Sequence, residues 1–289
     1  MYQLARPAAE LSPYIEHYWA VYATPESPVD LTVDVFVDGR ADLIFNFGAP
    51  YTREVLHRGR RLVRRSNLDA QRLAPIRIAQ RGDVVITGVR FRTAGLSPFV
   101  RHPVHAWNDR TVGPVEAFGA DAARLERSLA DTVCDVGSQA KALDAFFLRR
   151  LELSPPVQTV LALTREIDAA AGSLRVDALL RRREASARHV NRLFRQHVGF
   201  GPKTLARIAR FQRALTALKR PYDGTMGELA AACGYYDQSH FVRDFRRFAG
   251  AVPTRQAGYF PDEAPHDFSP NLVQFVQDGG GPWVQTVRP

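Results

Sequence analysis

Gly234-Tyr-Tyr-Asp-Gln-Ser-His-Phe-Val-Arg-Asp-Phe-Arg-Arg-Phe-Ala-Gly250 is the stretch that decides the fold of this 289-residue chain. Phe241 and Phe245 recur at helical spacing, and Gly234 punctuates the chain just before them. Upstream, Met226-x-x-Leu229 supplies a short helix that ends at that glycine. The unit is therefore a short helix, a tight turn, and a second helix whose apolar side faces the first, the layout of a helix-turn-helix. An earlier segment repeats it: Val176-x-x-Leu179, then Ser186-x-x-x-Val190-x-x-Leu193-Phe194. The separation is 15 residues from Leu179 to Phe194 and 16 from Leu229 to Phe245. Between the units, Pro202 to Lys219 reads as one amphipathic helix with Leu205, Ile208, Phe211, Leu215 and Leu218 on one face. Two plain α-hairpins in a bundle would show the same periodicity, so the outer faces must separate the readings.

On the first unit the residues not needed for packing are Arg188, His189, Asn191, Arg192 and Arg195. On the second they are Gln238, Ser239, His240, Arg243 and Arg247, with Asp244 the lone acid. Arginine presents a two-pronged donor to guanine, and asparagine or glutamine pairs in two-pronged fashion with adenine. A solvated helix face would usually mix Glu and Lys at i, i+4 spacing to stabilise itself. Glu is missing from both faces. The pattern favours contact with DNA over a merely hydrated surface.

Charge agrees. The chain has 39 Lys+Arg against 30 Asp+Glu, a formal net charge of +9. Gln158 to Phe260 holds 18 basic and 8 acidic residues, net +10, leaving 21 basic and 22 acidic elsewhere, net −1. The excess is confined to the helical segment, the footprint of a polyanion binder. Solubility and an arginine-rich codon usage are the bland alternative. The longest stretch free of Asp, Glu, Lys and Arg, Leu153 to Thr164, is too short to span a bilayer, and the N-terminus lacks a secretory pattern. A cytoplasmic protein with no membrane partner is expected. Cys134 and Cys233 lie far apart, with no CxxC, so neither a disulfide scaffold nor a cysteine zinc module is expected.

With these residues in hand, the segment from about Val157 to Phe260 resembles the AraC-type (AraC/XylS-like) family of bacterial transcription regulators. Gly234 to Gly250 followed by Val252-Pro253 is similar to the family's second helix-turn-helix. Ser186-Ala-Arg-His-Val-Asn-Arg-Leu-Phe-Arg-Gln-His-Val-Gly199 is similar to its first. The resemblance implies two recognition helices held by the linker helix in successive major grooves, about 34 Å apart. It implies that Arg188, Asn191 and Arg192 face bases in one groove and Gln238, Ser239, His240 and Arg243 in the next. Leu179, Val190, Leu193, Phe194, Leu229, Phe241 and Phe245 would be core. The first unit departs from the pattern: Leu180 stands where a small residue is expected, Arg183 replaces an apolar residue, and Glu184 replaces the turn glycine. A positive φ at Glu184 would cost about 1 kcal/mol, and Arg181-Arg-Arg183 could reach phosphates, which position without specifying.

The first 115 residues read mostly as strands: Thr32 to Val37, Asp42 to Phe47 and Asp83 to Phe91, separated by turn signals such as Asp38-Gly39 and Arg81-Gly82. Val115 to Leu151 reads as helices, and Ser154-Pro-Pro156 marks a boundary. The expected fold class is α+β. An N-terminal small β-barrel or sandwich with trailing helices spans residues 1–153. An all-α domain of two helix-turn-helix units joined by a long helix spans 157–260. A tail, 261–289, could return Asn271 to Val276 as a strand on the N-terminal sheet. Gly39 to Gly48, Gly88 to Leu96 and Trp107 to Thr111 are similar to an uncharacterised domain that precedes the DNA-binding module in some family members. That similarity implies a cupin-like domain that senses a small-molecule effector or forms a homodimer.

Other chemistry is weakly supported. His102-Pro-Val-His105 is a poor metal pair because the proline spoils helical i, i+3 spacing, and neither metal nor cofactor is expected. Asp42 and Asn46, and Arg90 and Arg92, share strand parities that fit the outward face of an antiparallel sheet better than a ligand site. The second function class is a small β-barrel enzyme fused to a helical accessory module, but no P-loop, GxGxxG or GxSxG nominates a catalytic residue. Alkyl-transfer repair would need a reactive cysteine cluster, which Cys134 and Cys233 do not supply, and Cys233 reads as core.

Overall fold

In a computed structural model, residues 2–23, 29–56, 60–184, 186–218, 222 and 224–253 are described. The tail 261–289, with the strand expected at Asn271 to Val276, lies outside the described residues, as does His57. Ten strands come first: β1 Tyr2–Ala5, β2 Ile15–Ala23, β3 Val29–Val35, β4 Asp42–Asn46, β5 Tyr51–Val55, β6 Arg60–Arg64, β7 Asn67–Asp69, β8 Ile76–Gly82, β9 Val84–Phe91 and β10 Thr111–Val112. The three strands expected from the sequence, one alternating and two short apolar runs, are β3, β4 and β9. β2, Ile15-Glu-His-Tyr-Trp-Ala-Val-Tyr-Ala, escapes a period-two reading because both its faces are covered along much of its length.

The strands form a six-stranded sheet in the order β1-β2-β9-β4-β7-β10 and a four-stranded sheet in the order β3-β8-β5-β6. All ladders are antiparallel. The expected alternatives were barrel or sandwich, and the arrangement is two open sheets. Closure needs a continuous ladder round the ring, and none joins the two sheets among the described residues. The side of the larger sheet away from the smaller one is covered by α1 Pro114–Phe118, α2 Ala120–Ala130 and α3 Val136–Leu148. Phe91, Phe99, Phe146 and Phe147 meet there with ring centroids 4.9–6.0 Å apart.

The helical half contains α4 Pro155–Ala169, α5 Val176–Arg182, α6 Ala187–His197, α7 Pro202–Ala217, α8 Met226–Ala232 and α9 Gln238–Ala249. Proline at the first turn of α4 and α7 starts both helices where its missing N–H does no harm. No helix among the described residues is long and apolar enough to cross a membrane. One hydrophobic core runs from Leu43 and Phe45 of the larger sheet through Val160 and Leu161 to Phe211 and Phe248. The helical half is thus docked on the sheets.

Between the sheets the parity reading fails in an informative way. Arg90, Asp42 and Asn46 point inward and are buried or nearly so, while Arg92 is exposed and donates from Nε to Ser12 O at 2.8 Å. Arg90 pairs with Asp38 and, at 2.5 Å, with Asp42. Arg72 reaches Asp69 at 2.9 Å and Asp38 at 3.4 Å, and Arg53 reaches Asp69 at 3.0 Å. Burial pushes the Asp38 carboxyl upward, yet Arg90 and Arg72 outweigh it and hold the group at about 2. At Asp42 burial prevails and the carboxyl titrates above its ordinary range. Charges that would have been outward on a one-sided sheet are inward here because the second sheet covers them.

His17 on β2 abuts this cluster. Burial drives its imidazole down from 6.5 to about 4. Glu16 opposes the shift, while Arg90, Arg40 and Arg92 reinforce it. Between pH 6.5 and 4 the unfolded chain therefore binds a proton that the folded chain refuses. Stability should fall by about 2–3 kcal/mol as pH drops through that window. Urea melts at pH 7 and pH 4.5 check this, and His17→Gln should flatten the difference; an unchanged slope in that variant would assign the acid sensitivity elsewhere.

Candidate nucleic-acid interface

The second unit is built from α8, a turn, and α9. A reciprocal cap starts α8: Thr225 Oγ1 accepts from Glu228 N at 3.2 Å, and Glu228 Oε2 accepts from Thr225 N at 2.7 Å. Gly234 makes the turn with φ +80°. Asp237 caps α9 by accepting from His240 N at 2.6 Å, and Gly250 closes it in the left-handed region. Phe241, Phe245 and Phe248 face inward, with Phe245 and Phe248 at ring-centroid distances of 5.2 and 5.5 Å from Phe211 of α7. Gln238, Ser239, Arg243 and Arg247 are exposed together on the other side, and His240 is half-buried against the edge of Tyr235.

One residue sits differently from the sequence reading. Asp244 does not belong to the outer face: it is 0% exposed and accepts from Arg207 of α7, Nε at 3.1 Å and Nη2 at 2.5 Å. Its neighbours Phe245 and Phe248 put it on the packing side of α9. The consequence is electrostatic, since the exposed face keeps its arginines with no carboxylate among them to offset their pull on phosphate.

In the first unit Ser186 caps α6, and Val190, Leu193 and Phe194 are buried. Arg188, His189, Asn191, Arg192 and Arg195 are all exposed. Asn191 Nδ2 donates to Ala187 O at 2.9 Å, and Arg192 Nη2 lies 3.2 Å from His189 Nδ1. Leu180 is buried, so the larger residue is accommodated in the core. Arg182 and Arg183 are drawn to Glu166 of α4, the former at 3.0 Å. Only Arg181 of that triplet stands exposed without such a pair among the described residues. The phosphate role read for the triplet is correspondingly reduced.

Glu184 occupies the turn with φ +49°, where the second unit has Gly234 at +80°. A side chain in the left-handed region costs about 1–2 kcal/mol. Glu184→Gly should therefore stabilise the chain by roughly 1 kcal/mol, after allowing for the extra freedom of glycine in the unfolded state. A chemical-denaturation midpoint that moves downward would show that the Glu184 side chain has compensating partners.

The N-terminal half holds the reader at three places. The C-terminal end of α6 abuts a short 3-10 helix, Val104–Trp107, and Ser97 Oγ lies 2.7 Å from His197 Nδ1. Asn108 Nδ2 donates to Gly199 O at 2.7 Å, and Gly199 has φ +100° with Asn108 Oδ1 only 2.5 Å from where a Cβ would stand. In the loop after β3, Val37 N donates to Phe248 O at 3.1 Å, and Gln212 Nε2 of α7 donates to Val37 O at 2.7 Å. Both recognition helices thus touch the sheet half at or near their C-terminal ends.

Two exposed residues escaped the sequence reading. Tyr236 is 94% exposed in the turn before α9, and Arg246 lies exposed one turn along from Arg243. A tyrosine hydroxyl or an arginine there suits a phosphate contact. The adjacent pair Tyr235-Tyr236 carried the signal, since a turn of this size can bury only one of two neighbours. His102 lies beside Trp107 with centroids 5.8 Å apart, and His102 and His105 are both exposed. Among the described residues no group of three or more His, Cys, Asp or Glu side chains is placed to hold a metal.

Comparison with known families turns this geometry into an assignment. Residues 179–257 match the family described as Helix-turn-helix domain. The C-terminal half carries an AraC-type helix-turn-helix domain. Residues 3–113 match a second family, Domain of unknown function (DUF6597). The chain with its AraC-type domain is a DNA-binding transcription regulator. No curated protein matches it. Among solved structures it is similar to an apo ToxT variant from Vibrio cholerae strain SCE256, with 8% identity, TM-score 0.46, and 84% and 98% of the two chains covered. Unsaturated fatty acid bound wild-type ToxT from the same strain gives 7% identity, TM-score 0.43, and coverage of 85% and 100%. A probable AraC family transcriptional regulator from Rhodopseudomonas palustris gives 22% identity, TM-score 0.30, and coverage of 35% and 99%.

Proposed function

We propose that the regulator reads DNA sequence with Arg188, Asn191 and Arg192 of α6 and Gln238, Ser239, His240 and Arg243 of α9. His189, Arg195 and Arg247 complete the basic faces and engage phosphates. The observation that carries this reading is the withdrawal of Asp244 from the α9 face, which leaves Arg243 and Arg247 exposed with no acid between them. Residues 157–260 act as the reader. Residues 1–153 act as an effector-sensing or homodimerising half, which regulates by restraining the reader through the contacts at Val37, Ser97 and Asn108. The protein works in the cytoplasm, where its DNA is, and acts by binding rather than by catalysis.

Fluorescence anisotropy on labelled duplexes, upstream DNA against scrambled DNA over a salt series, tests this. Sequence-selective binding is expected, with log K falling by about 0.9 per phosphate neutralised as log salt rises. Arg188→Ala and Arg243→Ala should each weaken a specific site by roughly 1–3 kcal/mol and relax the choice of one base pair. A loss equal on every sequence would make the two arginines phosphate contacts, and absence of binding at low salt would end the regulator reading for this chain.

A further inference from the structure

A cavity of about 80 Å³ lies between the two sheets, lined by apolar side chains from both: Trp19, Ile44 and Ile86 from the larger, Val33, Val35 and Ile78 from the smaller. Trp19 rests directly on β9, its ring occupying the place where a Cβ on Gly88 would stand. One end of the cavity is polar, formed by Arg72, Arg90, Asp42 and Asp69. Arg72 is 2% exposed, and its Nε–H finds no acceptor among the described residues although its terminal nitrogens are paired. A buried donor left without an acceptor is costly, and a cavity beside it is where an acceptor would enter.

The charges around that end are already balanced. Arg40, Arg53, Arg72 and Arg90 face Glu16, Asp38, Asp42 and Asp69 in a connected set of ion pairs. Any further charge entering the cavity would be desolvated without a counter-ion. The cavity is about half the volume of one known to admit benzene, so it encloses about three to five non-hydrogen atoms of a guest.

The same cluster leads out to the reader. Asp38, held by Arg72 and Arg90, lies between Val37 and Gly39. Val37 bonds to α7 and to the end of α9. Gly39 packs with Leu205 and Ile208 of α7, each under 4 Å from its Cβ position. A guest that draws Arg72 toward itself loosens its 3.4 Å contact with Asp38 and shifts the loop that anchors both helices.

We infer that this cavity binds a small uncharged molecule, largely apolar with one hydrogen-bond acceptor aimed at Arg72. Its occupancy reaches the DNA reader through the 36–40 loop. The inference rests on the effector-responsive reading above and names the chemistry and the route of that response.

The test titrates the full chain with four probes small enough for that volume: acetone, 2-methylpropene, acetate and isopropylamine. The readout is the indole resonance of Trp19, assigned through Trp19→Phe. Acetone should shift it saturably and leave Trp107 unmoved, while 2-methylpropene should bind roughly tenfold more weakly for want of the acceptor. The two charged probes should not bind. Ile44→Phe and Ile86→Phe, from different strands, should each abolish the acetone response if the variant still melts cooperatively. Charged probes binding as well as acetone, or no Trp19 shift at any acetone concentration that leaves the protein folded, would overturn the ligand class; the wild-type titration decides this whatever the variants do.

In the second arm, saturating acetone should change duplex affinity severalfold in the wild type and not in Gln212→Ala, which cuts the bond to Val37. A Trp19 shift with unchanged duplex affinity would overturn the route. Loss of sequence selectivity in the probe-free wild type would instead sink the regulator reading itself, so the failures are distinguishable.

Discussion

Arg90→Met should destabilise the protein by about 3–5 kcal/mol, a large share of the roughly 5–15 kcal/mol available to a folded domain. Arg90 is 4% exposed and pairs with Asp38 and Asp42, and Glu16 lies 4.0 Å away. Methionine preserves much of the volume, so the loss is electrostatic: two carboxylates would remain buried with Arg72 as their shared cation. The signature is its pH dependence. In the variant Asp38 loses the stronger of the two influences that hold it at about 2, so the folded state accepts protons earlier as pH falls. The stability gap between wild type and variant should therefore narrow from pH 7 to pH 4. Urea melts at both pH values measure it, and a gap independent of pH would mean that packing alone was lost. Replacing Arg90, Asp38 and Asp42 together by apolar residues should recover much of the loss, because no unpaired charge is then left inside.

Asp244→Ala is the second large effect, expected at about 2–3 kcal/mol in the stability of the reader. The carboxylate is fully buried, and the Arg207 side chain is 28% exposed. Removing the acid frees an arginine that can turn to water, which keeps the loss below that of Arg90→Met. The functional consequence should exceed that of an exposed contact. Asp244 ties α9 to α7, and without it the aromatic packing on Phe211 must hold the two helices together. Sequence selectivity at the half-site read by α9 should fall, while that read by α6 should persist. Asp244→Asn, which can still accept one hydrogen bond, should recover part of both stability and selectivity. Anisotropy on operators altered in one half-site at a time separates the two units, and equal losses at both would argue for global unfolding instead.

Local information was enough for much of the reader. Periodicity, the turn glycine at Gly234 and the caps at Ser186, Thr225 and Asp237 are all encoded within a few residues, and α5 to α9 appear where that pattern puts them. The strained turn at Glu184 was legible for the same reason, since a missing glycine in a repeated motif implies a side chain at positive φ. Asp244 was not, because an acid on the packing side of a helix needs a buried partner, and Arg207, which supplies it, lies 37 residues away. The strands were the harder case. β5, β6 and β8 belong to a second sheet whose existence decides whether Asp42, Asn46 and Arg90 face water or one another.

The two helix-turn-helix units, their basic outer faces and the α+β division of the chain all depend on spacing along the backbone, and local pattern is enough to specify them. Three further facts emerge with the packing of the layers: the charged strand residues are interior, Asp244 is an anchor, and the loop after β3 joins a buried ion cluster to both α7 and α9. Those facts rest on contacts between residues 37 to 211 positions apart. Burial and pairing at such separations leave no periodic trace in the chain, since the free energy that sets them belongs to the packed layers and not to any one segment.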